Sequence, residues 1–427
     1  MSKAVSASTY EVLKIKKEGR PEIDVTGTDK TGAQTVFFKY YESLFSPSVT
    51  AIIALVETGS SVQHDRKFDA QERFGTLSSA LPLSGDVSIP FKIKTKYCNL
   101  DYTKKPLLFD KVISPGSEGS RESILLNLVS STFKKNDEAS IHKKYTGNIS
   151  DTVTSIVSNY LEVDDANIDK TQNSYSFVGN GKTPFEVICN LAKKSIPGRG
   201  NPGYFFYETQ EGLNYRSIDD LIRQAPVAKY NRTDTLKANV DNDENDFKIL
   251  FKTDIKKGDL TNLLKSGGIF NKSILWDPVT FKYEEVNEDV SKKLFTSLGK
   301  EAVLPTVNDS TKTFFNVKDI GTLSRKIKDD VNNDPKFWQS TSTMRYNSLF
   351  SQIIHIQVPC NSKLKAGDTI LCDFEPVSTD RKVQGTDPVN SGKYLIVSLC
   401  HHFDTLRSVT SMVLVRDSYG LYTNKNK

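Results

Sequence analysis

The chain has few of the residues from which metal and redox sites are built. Five cysteines, five histidines, three methionines and two tryptophans are spread over 427 residues. The cysteines are Cys98, Cys189, Cys360, Cys372 and Cys400, odd in number, widely spaced and without a CxxC pair. That pattern reads as free thiols in a reducing compartment, with neither a disulfide framework nor a zinc site. The one cluster, Cys400-His401-His402, lies in a stretch that alternates as a strand does. Its two histidines then point to opposite faces, whereas metal ligands must converge. Long apolar runs are also missing. The longest aliphatic run is Ala51 to Val56, and a spanning helix needs about 20 apolar residues. The N-terminus, MSKAVSASTY, lacks the apolar stretch of a secretory signal. The sequons at Asn148, Asn231, Asn271 and Asn308 therefore carry no weight. No charge sign dominates: 57 Lys+Arg against 52 Asp+Glu leave +5. This excludes a nucleic-acid protein that works by bulk charge.

What is present suits sheets. Phe (23) and Tyr (17) are plentiful, and hydrophobic residues make up 37% of the chain. That supports a soluble, globular, β-rich protein rather than a disordered one. At roughly 150 residues per domain, two to four domains fit.

The region 8 to 118 reads as β. Tyr10 to Lys17, Glu22 to Thr26, Val36 to Phe45 and Val49 to Glu57 are strand candidates split by turn signals. Residues 59 to 82 form a long polar loop, and such loops often belong to an interface. VSIPFKIK follows Gly85-Asp86, and Leu107 to Ile113 and Ser123 to Ser130 make a strand pair around PGSEGS. Between about 140 and 225 the period changes to helical. Ser150 is a plausible N-cap for a helix with Val153, Ile156, Val157, Tyr160 and Leu161 on one stripe. Thr183-Pro184-Phe185-Glu186 has the form of a capping box with Pro at the first helical position. Strands GYFFYET and LNYRS follow, then a short helix from Ser217. Between 226 and 340 the pattern is mixed. It holds a strand from Phe247 to Thr253, a short helix LTNLLK, a hairpin SILWD/TFKYEEV, an irregular polar stretch from 287 to 318, and a helix from Pro335. The last region, 351 to 427, is β again, with strands IIHIQVP, TILCDFE, KYLIVSLCHH and VTSMVLVRD, and a frayed tail.

The first and last β regions share an order of parts. Gly85-Asp86 and Gly367-Asp368 each lead to a strand, a loop and then a strand pair. This suggests two similar β units separated by inserted material. Recognisable chemistry is absent. No HExxH, GxSxG or Rossmann fingerprint occurs. Gly179-Asn180-Gly181-Lys182-Thr183 sits between a strand and a helix, like a phosphate loop, but the required earlier glycine is Ser176. A tight turn into a capped helix explains it. The pairs Asp164-Asp165, Asp219-Asp220 and Asp329-Asp330 read as solvated or capping carboxylates. The run Asp241, Asp243, Glu244, Asp246 lacks the glycine and terminal glutamate of a calcium loop.

Four segments in order carry a family likeness. They are YTGNISDTVTSIVSNYL with KTPFEVICNLAKKSI and GYFFYETQEGLNYRSIDDL, then LLKSGGIFNKSILWDPVTFKYEEV, then IIHIQVPCNSKLKAGDTILCDFE, and last GKYLIVSLCHHFDTLRSVTSMVLVRDSYG. Their order resembles the baseplate central hub protein of contractile-tailed bacteriophages. Cys360 departs from it, standing where that family often has Gly.

The resemblance implies an α+β, β-rich fold with two similar antiparallel tube-type β-barrels, an α+β insert and a mixed insertion. The first barrel is expected over 1–118, the α+β domain over 119–225, the second barrel over 226–255 plus 345–420, and the insertion over 256–344. It implies a structural homotrimer, without enzymatic activity or cofactor, assembled in the host bacterial cytoplasm and placed in the virion tail baseplate. Three copies of two barrels would join a threefold central spike to a sixfold tail tube. The partners implied are the spike, carried on a separate chain, the tube or its initiator, neighbouring baseplate proteins, and DNA and tape-measure protein passing without specific contact. No membrane insertion is expected. The interface residues expected are His64, Asp65, Arg66, Phe68, Arg73 and Phe74 of the long loop, with Tyr394, Ile396, Val413 and Val415 on barrel strands. Two other readings stay open at this point: a tail-associated cell-wall hydrolase, and a tail-tube initiator or secretion-system spike hub.

Overall fold

The computed structural model describes residues 7–20, 22–26, 34–57, 62–63, 74–75, 86–118, 121–232, 247–278, 280–289, 296–299, 301–302, 312–318, 335–376 and 386–420. Alternating apolar residues build the first sheet region. Its strands are β1 (Thr9–Lys17), β2 (Gln34–Ser43), β3 (Thr50–Glu57), β4 (Val87–Ile89), β5 (Phe91–Lys94), β6 (Asn99–Asp101), β7 (Leu107–Glu118) and β8 (Arg121–Val129). Leu13, Phe38, Ile53, Phe91, Leu126 and Leu128 meet in one core. β7 and β8 pair straight through Pro115 and Gly116, where a wide turn was expected. Register shifts at Phe109/Lys111 and Val112/Ser114 absorb the extra residues of β7. β8 also pairs with β3 along its whole length. The ladder of the first β region runs to Val129.

The α+β unit follows. Helix α1 (Ser131–Glu138) has no apolar periodicity and buries only Thr132 and Asn136, so nothing in the sequence announces it. α2 (Ile149–Leu161) buries Ile149, Val153, Ile156, Val157 and Leu161 on one stripe, as the spacing predicts. Asn148, not Ser150, takes its cap position, and the Ser150 N–H donates to Thr171 Oγ1 at 2.9 Å. α3 (Pro184–Ala192) opens with the predicted capping box. Thr183 Oγ1 accepts from the Glu186 N–H, and the Glu186 carboxylate accepts from the Thr183 N–H.

The turn before α3 explains the glycines of the phosphate-loop lookalike. Asn180 and Gly181 sit at φ 54° and 73°. A Cβ on Gly179 would lie 2.3 Å from the Ile141 carbonyl oxygen. Gly179→Ala is expected to destabilise the fold by about 1–3 kcal/mol through overpacking. The measurement is a lower urea midpoint at unchanged slope. Strands β9 (Tyr204–Thr209) and β10 (Gly212–Ser217) and helix α4 (Ile218–Arg223) complete the unit, and Ser217 caps α4 by accepting from the Asp220 N–H.

The rest of the chain holds β11 (Ala228–Arg232), β12 (Phe251–Lys257), α5 (Leu260–Lys265), β13 (Phe270–Asp277), β14 (Lys282–Asp289), β15 (Thr313–Val317), α6 (Pro335–Leu349), β16 (Gln352–Pro359), β17 (Thr369–Phe374), β18 (Gly392–Asp404) and β19 (Ser408–Arg416). β12 begins later than the expected Phe247, because Lys248 bridges to Asn231 at the end of β11. The stretch 287–318 is not wholly irregular. β15 adds to β13 in parallel, and β14 pairs with β13 on the other side. Among the described residues no helix is long and apolar enough to cross a membrane.

The strands of both β regions share one sheet, in the order β12-β16-β19-β18-β2-β3-β8-β7-β4-β1-β5-β6. β17 pairs with the first half of β18, and β11 pairs with β17 in parallel. A third core of Tyr230, Ile356, Ile370, Tyr394, Ile396 and Leu414 fills the C-terminal region. A fourth cluster joins Leu44, Phe205, Tyr207, Leu349, Leu395 and Val415 where the parts of the chain meet.

Candidate functional site

The feature with the most consequence is the seam between β2 and β18. Phe37 to Ser43 pair antiparallel with Ser398 to Asp404. β18 is long enough to serve two neighbours on one edge. Its first half pairs with β17 and its second half with β2. Side chains of alternating phase then run across the seam without a break. One rung is Val129, Thr50, Tyr41, Cys400, Ser411, Gln357 and Phe251, each facing the next on successive strands. The adjacent rung pairs Asn127, Ile52, Lys39 and His402. Apart from Val129, which is buried, these residues share the open face of the sheet, which mixes polar, aromatic and charged groups. On it His402 stacks on Phe37 with ring centroids 5.8 Å apart.

The opposite phase is buried and carries ionisable groups that tie the units together. Glu42, on β2, accepts from the Tyr40 hydroxyl at 2.9 Å, the Gln210 N–H at 2.7 Å and the Ala366 N–H at 2.9 Å. Those donors belong to the first β region, the α+β unit and the C-terminal region. Burial pushes the Glu42 carboxyl up to about 7, against the hydrogen bonds that favour its charged form. Glu208 does similar work between β9, β3 and α1. It accepts from the Val49 N–H at 2.9 Å and Thr132 Oγ1 at 3.2 Å, and burial raises its carboxyl as well. Lys393 Nζ donates to the carbonyls of Ile222 and Gln224 at the end of α4, and burial pulls its ammonium down to about 8. His401 is buried beside Tyr40, its Nδ1 2.8 Å from Thr410 Oγ1, and burial holds it down at about 4. His402 is half-buried on the other face, so the two histidines diverge as the alternation predicts.

A second surface stands out on the excursion, the stretch between β12 and α6. The face of β13 and β15 turned toward α6 carries Asn271, Ser273 and Leu275, and Ser340 Oγ donates to Ser273 Oγ at 2.6 Å. The aromatic side of that sheet points outward. Phe281, Tyr283 and Phe315 are 75%, 65% and 61% exposed. Contiguous exposed apolar surface of this kind marks a contact surface.

No protein-family model matches the chain, and no curated protein matches it. Solved structures do. A tail protein from Neisseria meningitidis superposes with a TM-score of 0.54 at 10% identity, covering 95% of this chain and 96% of its own. The 43 kDa tail protein of prophage MuSo2 from Shewanella oneidensis gives 0.52 at 12% identity, covering 95% and 98%. The chain has the fold of phage tail proteins. At such low identity the shared property is the path of the chain and the sheet, not any particular side chain.

Within this tail-protein fold, the residues expected at interfaces fall in different places. Tyr394 and Ile396 lie in the third core, Val415 lies in the central cluster, and Val413 is half-buried on the open face. His64, Asp65, Arg66, Phe68 and Arg73 lie outside the described residues. So do Asp329-Asp330 and the acidic run from Asp241 to Asp246. Phe74 belongs to a two-residue strand, Phe74–Gly75, paired with Val62–Gln63. One expectation is corrected. Asp219 is neither solvated nor a cap, but fully buried and ion-paired with Arg345 at 2.8 Å. The buried charges of the tail-protein fold left a readable mark. Glu42 keeps the inward phase of Phe38 and Tyr40, and Arg416 that of Met412 and Leu414, so each is a charged residue in an apolar phase.

Proposed function

We propose that the chain is the structural hub of a phage-tail baseplate. Three copies form a ring around the DNA channel and join a threefold spike to a sixfold tail tube. The observation that carries this reading is the unbroken sheet across β2 and β18. One chain already contains one joint of such a ring, with a β region on each side. Four strands on each side (β12, β16, β19, β18 and β2, β3, β8, β7) would face the channel. The polar, mixed-charge open face suits a passage through which cargo slides. The reading of the C-terminal strands as a tube-type barrel is supported by the bridge between Asn231 and Lys248, which links β11 back to the start of β12. The first β region is read as the matching barrel from its shared strand order. The insertion is assigned to 256–344, and the α+β unit lies between the barrels.

The sheet also supplies edges for ring closure. Among the described residues β12 pairs with β16 alone. Among the described residues β7 pairs with β4 through Leu107 and Leu108, and the rest of that edge has no strand partner. Open edges of this length need a partner. In the proposed ring, β12 of one copy pairs with β7 of the next, and the loop 59–82 reaches the neighbouring copy. The work is done by shape and symmetry, without catalysis, in the virion tail after assembly in the host cytoplasm.

Light scattering after size exclusion tests the reading. The wild type should run as a trimer, and electron microscopy should show a threefold ring with sixfold-like lobes. Ile255→Asp on β12 and Ile113→Asp on β7 should yield folded monomers, and deletion of 62–78 should weaken the trimer. A wild type that stays monomeric and ringless at high concentration would sink the proposal.

A further inference from the structure

Two of the free thiols lie in one core, on segments from the two β regions. Cys98, just before β6, and Cys360, just after β16, are 2% and 1% exposed and belong to the same core. Burial, and after it the neighbouring Cys98 thiol, push the Cys360 thiol up. The backbone around them is locked in place. The Ser362 N–H donates to the Tyr97 carbonyl at 3.1 Å, and the Asn99 N–H donates to Ser362 Oγ at 2.9 Å. Segments 97–99 and 360–362 therefore lie side by side, although one belongs to each β region. Cys98 also lines an open cleft of about 550 Å³, together with Lys94, Lys96 and Lys363. The cleft brings a small molecule up to the Cys98 segment, and its three lysines outnumber its one carboxylate, Glu211, which suits an anionic one. The other thiols are placed differently. Cys400 is on the open face across from Tyr41, Cys372 is in the third core, and Cys189 is on α3.

We propose that Cys98 and Cys360 are a latent disulfide site, closed by an anionic small-molecule disulfide such as glutathione disulfide entering through this cleft. The Cys98 thiolate attacks one sulfur of glutathione disulfide, whose S–S bond breaks and releases one glutathione. Cys360 then attacks the mixed disulfide on Cys98, and the second glutathione leaves. Two protein thiols lose two electrons and two protons, and glutathione disulfide gains them as two glutathione thiols. The bond ties the segment before β6 to the segment after β16, and so one β region to the other. A reducing cytoplasm keeps it open, and an oxidising exterior lets it close. Burial pushes the Cys360 thiol up, so closure should speed up with pH.

The test uses the full chain, reduced and then incubated with glutathione disulfide at alkaline pH. After alkylation in denaturant, a non-reducing digest is read by mass spectrometry. The expected result is one peptide pair joining Cys98 to Cys360, with Cys189, Cys372 and Cys400 alkylated. The oxidised protein should melt at a higher temperature than the reduced one. Cys98→Ala should abolish the linkage and the thermal shift, and Cys189→Ala should keep both. If Cys98→Ala does not fold, the wild-type digest and its thermal shift decide. Five alkylated cysteines, a lasting glutathione adduct on Cys98, or a bridge through Cys400 each overturn the assignment. The readout is the same for monomer and ring.

Discussion

Arg345→Met is expected to destabilise the protein by about 3–5 kcal/mol, the usual cost of leaving buried charges without their partner. Arg345 is 1% exposed on α6. Its Nε donates to Asp219 Oδ1 at 3.0 Å, one terminal nitrogen donates to Asp417 Oδ2 at 3.0 Å, and the other donates to the Thr296 carbonyl at 2.6 Å. Asp219 also accepts from the Asn201 N–H at 2.8 Å, and Asp417 accepts from the Leu298 N–H at 2.9 Å. One guanidinium thus pins α4, the end of β19 and the excursion together. Methionine fills much of the volume but leaves two carboxylates facing each other out of water. Arg345→Lys should recover only part of the loss, since an ammonium cannot reproduce the fork. Chemical denaturation measures the effect. A loss below about 1 kcal/mol, the scale of a surface ion pair, would falsify the assignment of this triad as a structural centre.

The second large effect depends on pH and belongs to Glu42. Its folded pKa, about 7, stands above its ordinary 4.5. A raised acid contributes stability that is fully present below the unfolded value and is lost as pH rises through the folded one. One pKa unit corresponds to about 1.4 kcal/mol, so this group should withdraw about 3 kcal/mol between pH 4.5 and 7.5. Glu42→Gln cannot ionise and lacks that term. The stability of the wild type relative to the variant should therefore fall across this window. Asp368, raised to about 6 by burial, acts in the same direction. His401, held down at about 4, acts oppositely, removing stability as pH falls below about 6.5. His401 is common to wild type and variant and cancels, while Asp368, whose charge also raises Glu42, adds to the difference in the same direction. A constant difference from pH 4.5 to 7.5 sinks the prediction.

These two residues also mark the limit of what a sequence discloses. Alternation located β16, β18 and β19, because inward and outward phases are local properties of a strand. The stripe of α2 and the box Thr183/Glu186 were equally legible, since both are set within four residues. The errors came where local pattern yields to a neighbour. β7 runs through Pro115 and Gly116 because β8 pairs with it there. β12 starts late because Asn231 holds Lys248. α1 had no apolar period to find. The aromatic residues of β15 fell in a stretch whose polar average hid them.

By itself, then, the sequence determined which segments become strands and helices, which faces they bury and, through the order of its motifs, the kind of protein to expect. The tertiary structure alone decided which strands become neighbours. No local signal says that β2 takes β18, that Glu42 binds donors from three parts of the chain, that Arg345 meets Asp219 and Asp417, or that Cys98 lies against Cys360. A strand's alternation fixes its inward face, but any strand of matching phase could pair with it. That choice is made by the packing of whole units, when burial of the central cluster and satisfaction of its charges select a single arrangement.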